Sequence, residues 1–202
     1  MTRVTLSEFK NAARNRSSRR GPAGSGATIV TPMPTARAAV RRYHREGSGR
    51  ATLLLNQTFD RSAHWGPAGP GPAKGWANAI RSCFQTYVEL ADVDDRPVLS
   101  ISVDRDVRLG GNAIGVAIDV ILLDPLGYVA RYPLWDVPPT NMVEAELLAA
   151  PIVRAMEEEL GEDRTVGVEV WHLRSRAQFF VPSDQALTRL GEAGNLLGTY
   201  VS

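Results

Sequence analysis

Three apolar, β-branched runs stand almost back to back in this chain: PVLSISVD (97–104), AIGVAIDVILLD (113–124) and YVARYPLWD (128–136). Val and Ile favour strands, so each run predicts a β-strand. Between the second and third runs, residues 124–127 read Asp-Pro-Leu-Gly. Asp, Pro and Gly stand there at the positions that a type I turn favours. The second and third runs are therefore predicted to form an antiparallel hairpin.

Helices and further strands are predicted around these runs. Trp76–Ala91 carries apolar residues at the spacing of one helical face, and Cys83 lies among them as a small apolar side chain. A second helix is predicted to begin after Thr140 or Asn141 and to end near Leu160 at Gly161. Two paired strands and a last helix are predicted beyond it: Val166–Leu173, Ala177–Val181, and Pro182 to about Leu197.

Before the first strand, residues 34–46 have the composition of a short helix. Ala51–Thr58 is predicted to be a strand, and the Gly- and Pro-rich segment 66–72 to be a loop. Residues 1–33 are predicted to be a flexible basic arm, because the Ser-, Gly- and Pro-rich segment 17–26 is typical of a linker.

The order of helix, three strands, helix, two strands and helix predicts an α/β (α+β) fold. We expect a single sandwich over residues 34–202, in which a mixed, largely antiparallel sheet is flanked by helices. The basic N-terminal arm over residues 1–33 would precede it.

Length and composition limit the functional classes. The chain has 202 residues, and Cys83 is its only cysteine, which excludes an internal disulfide. It lacks the roughly 18 consecutive apolar residues of a membrane-spanning helix, and its N-terminus lacks the apolar core of a secretory signal. We therefore expect a cytoplasmic protein with no membrane partner.

The overall net charge of +1 conceals a strong asymmetry. Residues 1–50 contain eleven basic and two acidic residues, a net charge of +9, and the rest of the chain carries −8. A basic segment on an acidic body is typical of proteins that bind an anionic partner. Nearly all of the basic residues are arginines, since Lys10 and Lys74 are the only lysines.

The arginines of this segment are the candidate nucleic-acid-binding residues. They lie in the arm and on the predicted helix 34–46, where three of them repeat every four positions: Arg14, Arg16, Arg19, Arg20, Arg37, Arg41, Arg42 and Arg45. A guanidinium makes bidentate contacts with phosphate, so this pattern favours binding to a nucleic acid. The alternative is an ordinary solvated helix face.

Asp119 is the candidate for chemistry, because it interrupts an apolar strand beside the small residues Gly115 and Ala117. A buried carboxylate needs a partner. One hypothesis is a metal or acid/base site with Asp104 and Glu169, since Mg²⁺ takes one or two protein carboxylates. The alternative is a structural salt bridge to one of three arginines: Arg105, Arg108 or Arg131.

The order helix–βββ–helix–β, the GVAID (115–119) and DPLG (124–127) segments, and VEVWHL…AQFFV after the long helix resemble the PD-(D/E)XK nuclease-like fold of the RecB type. The resemblance covers about residues 75–197. It implies that Asp119 matches the metal-binding aspartate of the family and that Asp104 lies near an upstream acidic residue. The third strand of the family carries an acidic-x-Lys pair, whereas this chain has Arg131 there and no lysine after Lys74.

An arginine cannot be deprotonated and so replaces that lysine poorly. The resemblance therefore implies a degenerate nuclease that is retained for binding or assembly rather than an active enzyme. Three functional hypotheses remain open. The protein is nucleic-acid-associated through its arginines, or it is a metal-dependent nuclease, or it is a protein-interaction module such as an immunity-type protein, an adaptor or a subunit of a larger assembly.

Overall fold

A computed structural model of the chain describes residues 3–5, 33–62, 70–100, 102–135, 139 and 141–201. Within these ranges lie six helices: α1 (Met33–Glu46), α2 (Ser48–Ser62), α3 (Pro70–Ala91), α4 (Met142–Leu160), α5 (Ser183–Thr188) and α6 (Leu190–Val201). The strands are β1 (Arg3–Thr5), β2 (Val98–Ser100), β3 (Val103–Leu109), β4 (Asn112–Ile118), β5 (Val120–Asp124), β6 (Gly127–Leu134), β7 (Thr165–His172) and β8 (Ala177–Pro182).

The central sheet has five strands in the order β2-β5-β6-β7-β8. Only β6 and β7 are parallel, and α4 supplies the crossover that a parallel pair requires. The other neighbouring strands are antiparallel. The predicted fold class is confirmed: the sheet is mixed and largely antiparallel, and helices flank it.

The predicted strand 113–124 is in fact two strands, β4 and β5, which belong to different sheets and meet at Asp119. The hairpin prediction holds for β5 with β6, where Asp124 pairs with Gly127. The first half pairs with β3 instead, because a tight turn at Gly110 and Gly111, both with positive φ, brings β3 directly alongside β4. The predicted strand 97–104 is divided in the same way between β2 and β3.

The second sheet has the order β1-β4-β3. Its edge strand β1 consists of Arg3–Thr5, which pair in parallel with Ala113–Gly115 of β4. These three residues belong to the segment that was predicted to be a flexible arm, and they form a strand because the edge of β4 offers unpaired backbone groups. Residues 6–32, with the four candidate arginines of the arm, lie outside the described residues.

Two local predictions on the N-terminal side are wrong. Ala51–Thr58 lies within α2, where Ala51, Leu55 and Phe59 are buried at a spacing of four and Leu53 is exposed. That spacing belongs to a helix rather than to a strand. Residues 70–72 open α3 instead of continuing a loop, since proline fits the first turn of a helix. The rest of the predicted loop, 66–69, lies outside the described residues.

The remaining helices agree with prediction more closely. Asn141 caps α4 by accepting a hydrogen bond from the backbone N–H of Glu144 at 3.0 Å, and Gly161 ends the helix. Cys83 is buried within α3, as expected. The predicted last helix is broken into α5 and α6 around Arg189.

Two hydrophobic cores lie on opposite faces of the central sheet. One joins α1, α2 and α3 to Val120 and Leu122 of β5, and the other joins α4, α5 and α6 to Ile121 of the same strand. Successive residues of a strand point to opposite faces, so β5 serves both cores. In the described part of the chain, no helix is both long and apolar enough to cross a membrane.

Gly167 on β7 provides a test of this packing. A Cβ atom there would lie 2.4 Å from the carbonyl oxygen of Val181 on β8 and 2.9 Å from the ring of Phe180. We expect Gly167→Ala to lower the free energy of unfolding by about 2 kcal/mol or more, because a backbone atom cannot move aside cheaply. Gly191→Ala is the matched control, since its Cβ would meet nothing within 4 Å. Urea denaturation measures both variants, and equal stabilities would contradict the packing described.

Candidate functional site

The Asp119 carboxylate lies at the bend between β4 and β5, and only 3% of the residue is exposed. Two arginines of α1 bind it. Arg37 donates from Nε to Oδ2 at 2.8 Å and from Nη2 to Oδ1 at 2.9 Å, which is a bidentate contact. Arg41 donates from Nη1 to Oδ1 at 3.0 Å. Both carboxylate oxygens are therefore already bound to guanidinium groups.

The sequence of α1 explains this geometry. Arg37 and Arg41 are one turn apart and so lie on the same side of the helix. Ala36, Ala39 and Val40 are fully buried and pack α1 into the core beside them. Both arginines keep part of their side chains exposed, at 29% and 32%. The positive charge that neutralises Asp119 is thus supplied by two side chains that reach the protein surface.

The alternative that Asp119 is a salt-bridge residue agrees with these contacts, but the predicted partners are wrong. Arg105 binds Glu159 of α4, and Arg108 is exposed and makes no ion pair with any described residue. Arg131 belongs to a separate cluster. The actual partners come from a helix about eighty positions earlier in the chain, and no local pattern links the two segments.

Burial alone would lower the pKa of Arg37, but the hydrogen bond to Asp119 and the neighbouring negative charges outweigh it and raise the pKa. Among those charges is Asp104. Arg37 therefore remains a cation that is bound to Asp119 and influenced by the more distant charge of Asp104. A cation already fixed against Asp119 competes directly with any metal ion that would bind the same oxygens.

Arg131 lies at the centre of a second ionic cluster, made of Asp94, Arg96, Arg131 and Glu169. Its side chain is 1% exposed, and its guanidinium lies 3.7 Å from the centre of the Trp171 ring. It donates from Nε to Glu169 at 3.1 Å and also binds Asp94. Arg96 also lies 3.8 Å from Asp124, so the two cations face three anions and each buried charge has a counter-charge.

Arg96 closes this cluster from the loop after α3. It binds Asp94 at 2.6 Å and Glu169 at 2.5 Å. Hydrogen bonds from Arg96 in the first place, together with Arg131, hold the pKa of Asp94 below its ordinary range despite partial burial. The cluster therefore joins the loop before β2 to β6 and β7, and its Asp94 carboxylate stays ionised at neutral pH.

The three candidate carboxylates do not form one group, although the charges of Asp104 and Asp119 both act on Arg37. Asp119 lies before β5 and Glu169 lies on β7, with β6 between them. Asp104 is exposed on β3 in the other sheet. Over the described residues, no group of three or more His, Cys, Asp or Glu side chains is arranged to hold a metal ion. The hypothesis of a Mg²⁺ site with acid/base carboxylates has no structural support in this part of the chain.

An aromatic layer between α1 and α3 was missed from sequence. His44 Nε2 lies 2.7 Å from the hydroxyl of Tyr87, and Tyr43 donates a hydrogen bond to Asp92. The Tyr87 ring in turn packs against Trp171, with ring centres 5.8 Å apart. The adjacent Tyr43 and His44 at the end of an arginine helix were the signal available in the sequence. This layer connects α1 to the Arg131 cluster.

The candidate phosphate-binding arginines of α1 differ in their contacts. Arg37 and Arg41 bind Asp119, and Arg42 pairs with Glu46 one turn later at 3.0 Å. Arg45 is exposed and forms no ion pair with a described residue. Three arginines, Arg37, Arg41 and Arg45, form a stripe along α1. Asp119 partly neutralises the first two, whereas Arg45 has no carboxylate partner among the described residues.

Comparison with known proteins does not assign the chain to a family. A scan against protein-family models and a search of curated proteins both gave no match.

The Asp119 contacts predict an asymmetric response to mutation. Arg37→Met with Arg41→Met leaves a buried carboxylate without a counter-charge, and we expect a loss of about 3–5 kcal/mol in unfolding free energy. Asp119→Asn leaves two arginines that can reach water, and we expect a smaller loss of about 1–3 kcal/mol. Urea denaturation measures both losses.

Arg42→Ala is the control for these variants, because it removes an exposed i,i+4 pair from the same helix and should cost less than about 1 kcal/mol. Wild-type stability in Asp119→Asn would contradict a structural role for the carboxylate. Equal losses in the arginine and aspartate variants would contradict the asymmetry.

His44 makes stability depend on pH. Burial, and then the charge of Arg131, lower its pKa from 6.5 to about 4. Above pH 6.5 the ring is neutral in both states. Between pH 6.5 and 4 the unfolded chain binds a proton that the folded ring does not, so stability falls as pH falls. We expect His44 to contribute about 1–2 kcal/mol to this loss, because its ring is partly solvated.

Urea denaturation of the wild type and of His44→Gln at pH 7.5 and at pH 5 checks this expectation. The variant should lose less stability than the wild type between the two pH values. Parallel losses in the two proteins would assign the pH dependence to other groups.

Proposed function

We propose that the protein is a non-catalytic nucleic-acid-binding protein, in which a nuclease-like α/β body carries an arginine-rich N-terminal segment that contacts phosphates. The observation that carries this proposal is the pairing of Asp119 with Arg37 and Arg41. The carboxylate that the resemblance assigns to a metal is bound by guanidinium groups instead.

The proposed nuclease-like fold requires a helix, three strands, a helix and a strand, and the chain has this order when the β3–β4 hairpin is left out. Helix α3 is followed by β2, β5 and β6, then by α4 and β7, and the β3–β4 hairpin is inserted between the first two strands. Asp119 directly precedes the second strand of this series, and Arg131 lies on the third, paired with Val120. Under the proposal, Asp119 corresponds to the metal-binding aspartate of the family and Arg131 stands in place of its lysine.

The contacts at both positions argue against hydrolysis. Each oxygen of Asp119 accepts a hydrogen bond from an arginine, so binding a cation would require α1 to release it. Arg131 is buried between Glu169, Asp94 and the Trp171 ring, and a guanidinium is too weakly acidic to serve as the base that a lysine can provide. The third strand therefore supplies no group that can take a proton from water.

The charge distribution supports phosphate binding. On α1, Arg37, Arg41 and Arg45 outnumber the single carboxylate of Asp119, so the stripe keeps an excess of positive charge. The candidate arginines of the arm are four further charges in the sequence: Arg14, Arg16, Arg19 and Arg20. Clustered arginines contact the backbone of a nucleic acid independently of its sequence. The proposal places the protein in the cytoplasm, where such partners occur.

A protein-interaction module, for example a subunit of a larger assembly, is the second candidate. One observation favours it. Four large apolar side chains are exposed on neighbouring segments around β2 and the β5–β6 turn: Val93, Leu99, Leu123 and Leu126. Contiguous exposed apolar surface is typical of a protein interface.

Binding of labelled DNA and RNA tests the proposal. We expect full-length protein to bind both at low salt and to lose affinity steeply as salt rises. Replacing Arg14, Arg16, Arg19 and Arg20 together by serine should weaken binding at least about tenfold and reduce the salt slope by up to about 0.9 for each phosphate that the variant no longer neutralises. Arg45→Ser should weaken binding by a smaller factor and through the same salt-dependent effect.

Arg108→Ser is the matched control, because Arg108 is exposed and unpaired among the described residues but lies on β3, outside α1. It should bind like the wild type. Mg²⁺ is present throughout and products are separated on a gel. Cleavage would overturn the non-catalytic interpretation. Absence of binding at low salt would overturn the nucleic-acid proposal in favour of the protein-interaction module.

A further inference from the structure

A small cavity lies at the carboxyl ends of β6 and β7, away from the Asp119 contacts. Its volume is about 180 Å³. One face of α3 and the two residues after β7 line it: Ala79, Ser82, Cys83, Thr86, Leu173 and Arg174. The backbone N–H of Leu173 binds the carbonyl oxygen of Leu134, which fixes this corner at the ends of the two parallel strands. In open, mostly parallel α/β sheets, ligands bind at the carboxyl ends of the strands, and β6 and β7 are the parallel pair of this otherwise antiparallel sheet.

Three polar groups around the cavity have no partner in the described part of the chain: the hydroxyls of Ser82 and Thr86 and the guanidinium of Arg174. Ser82 and Thr86 are four positions apart on α3 and so lie on one side of the helix. Arg176, two residues after Arg174, is paired with Glu89. Glu89 of α3 is therefore bound to a different arginine, and Arg174 forms no ion pair with a described residue.

The pKa of Cys83 indicates that the Arg174 guanidinium lies near this thiol, and both residues line the cavity. Burial raises the pKa of this thiol, and the positive charge of Arg174 acts in the opposite direction. A charge effect of this kind requires proximity. The thiol itself donates a weak hydrogen bond to the carbonyl oxygen of Trp135, with the sulfur 3.8 Å from the oxygen, and only 3% of Cys83 is exposed.

We propose that this cavity binds a phosphate group, held by Arg174 with hydroxyl hydrogen bonds from Ser82 and Thr86. A guanidinium and two hydroxyls offer several donors to a tetrahedral oxyanion. The volume is below the roughly 300–1,000 Å³ of sites that enclose drug-sized ligands, so the cavity suits a phosphate group and not a whole nucleotide. The phosphate is either free inorganic phosphate or the terminal phosphate of a larger molecule.

This proposal does not rest on the nucleic-acid proposal, because none of the cavity residues belongs to α1 or to the arm. Cys83 provides the reporter, since it is the only cysteine of the chain and lines the cavity. The rate at which methyl methanethiosulfonate modifies it is measured on full-length protein with increasing inorganic phosphate. At a phosphate concentration about four times the Kd, the rate should fall about fivefold, because only unliganded protein reacts.

Arg174→Gln should abolish this protection. Arg164→Gln is the matched control, because Arg164 precedes β7 as Arg174 follows it, and is also exposed without an ion pair to a described residue. It should be protected like the wild type. Phosphorus NMR of phosphate mixed with each protein gives a second measurement that does not depend on access to the thiol.

The outcomes separate clearly. Saturable protection and NMR broadening that Arg174→Gln removes would support the site. Equal protection by sodium chloride at the same ionic strength, equal behaviour of Arg174→Gln, or no effect of phosphate in either measurement would overturn it. A 5′-phosphorylated dinucleotide and its 5′-hydroxyl form distinguish the sources. Protection by the phosphorylated form alone identifies a terminal phosphate, and protection by inorganic phosphate alone identifies the free anion.

Discussion

The burial of one carboxylate, that of Asp119, governs how α1 lies against the two sheets. The chain changes sheets at this residue, so its side chain sits at a bend instead of on a regular strand face. A buried carboxylate without a counter-charge costs several kcal/mol. Arg37 and Arg41 meet that requirement, and in doing so they fix the position of α1.

The same requirement recurs around Arg131, with the signs reversed. Here a cation is fully buried, and Asp94 and Glu169 supply the counter-charges. Because Asp94 lies in the loop before β2, the need to neutralise Arg131 determines where that loop rests. The Trp171 ring covers the guanidinium and adds a cation–π contact. Buried charges therefore position both α1 and the α3–β2 connection, while apolar packing supplies most of the stability.

The sequence predicts the elements of this fold better than their partners. The β-branched runs identify strands correctly, but the apolar pattern of 113–124 resumes directly after Asp119, so this one polar residue does not reveal a change of sheet. Strand β3 was not predicted in full, because the charged residues from Asp104 to Arg108 interrupt the apolar pattern along it. In α2, the run Leu53–Leu55 suggests a strand, whereas the buried Ala51, Leu55 and Phe59 follow the helical spacing.

The candidate site could be predicted only in part for a related reason. A buried aspartate beside small residues indicates that a partner exists, and physical chemistry allows either a cation of the protein or a metal. The choice depends on a contact between segments about eighty residues apart, which no periodicity records. The helical spacing of Arg37 and Arg41 is compatible with phosphate binding and with a salt bridge, and the sequence alone does not decide between them.

Some arginines of the chain bind buried carboxylates, and the remaining arginines supply the positive charge of the protein surface. Asp119 and the Arg131 cluster occupy Arg37, Arg41, Arg96 and Arg131, whereas Arg45 and Arg174 have no carboxylate partner among the described residues. These two arginines lie in different surroundings: Arg45 on the exposed side of α1 and Arg174 at a cavity with two hydroxyls. The surroundings of Arg45 suit an extended polyanion, because exposed arginines each attract its phosphates weakly and bind it only in combination. A single phosphate suits the surroundings of Arg174, because convergent donors favour one well-placed anion.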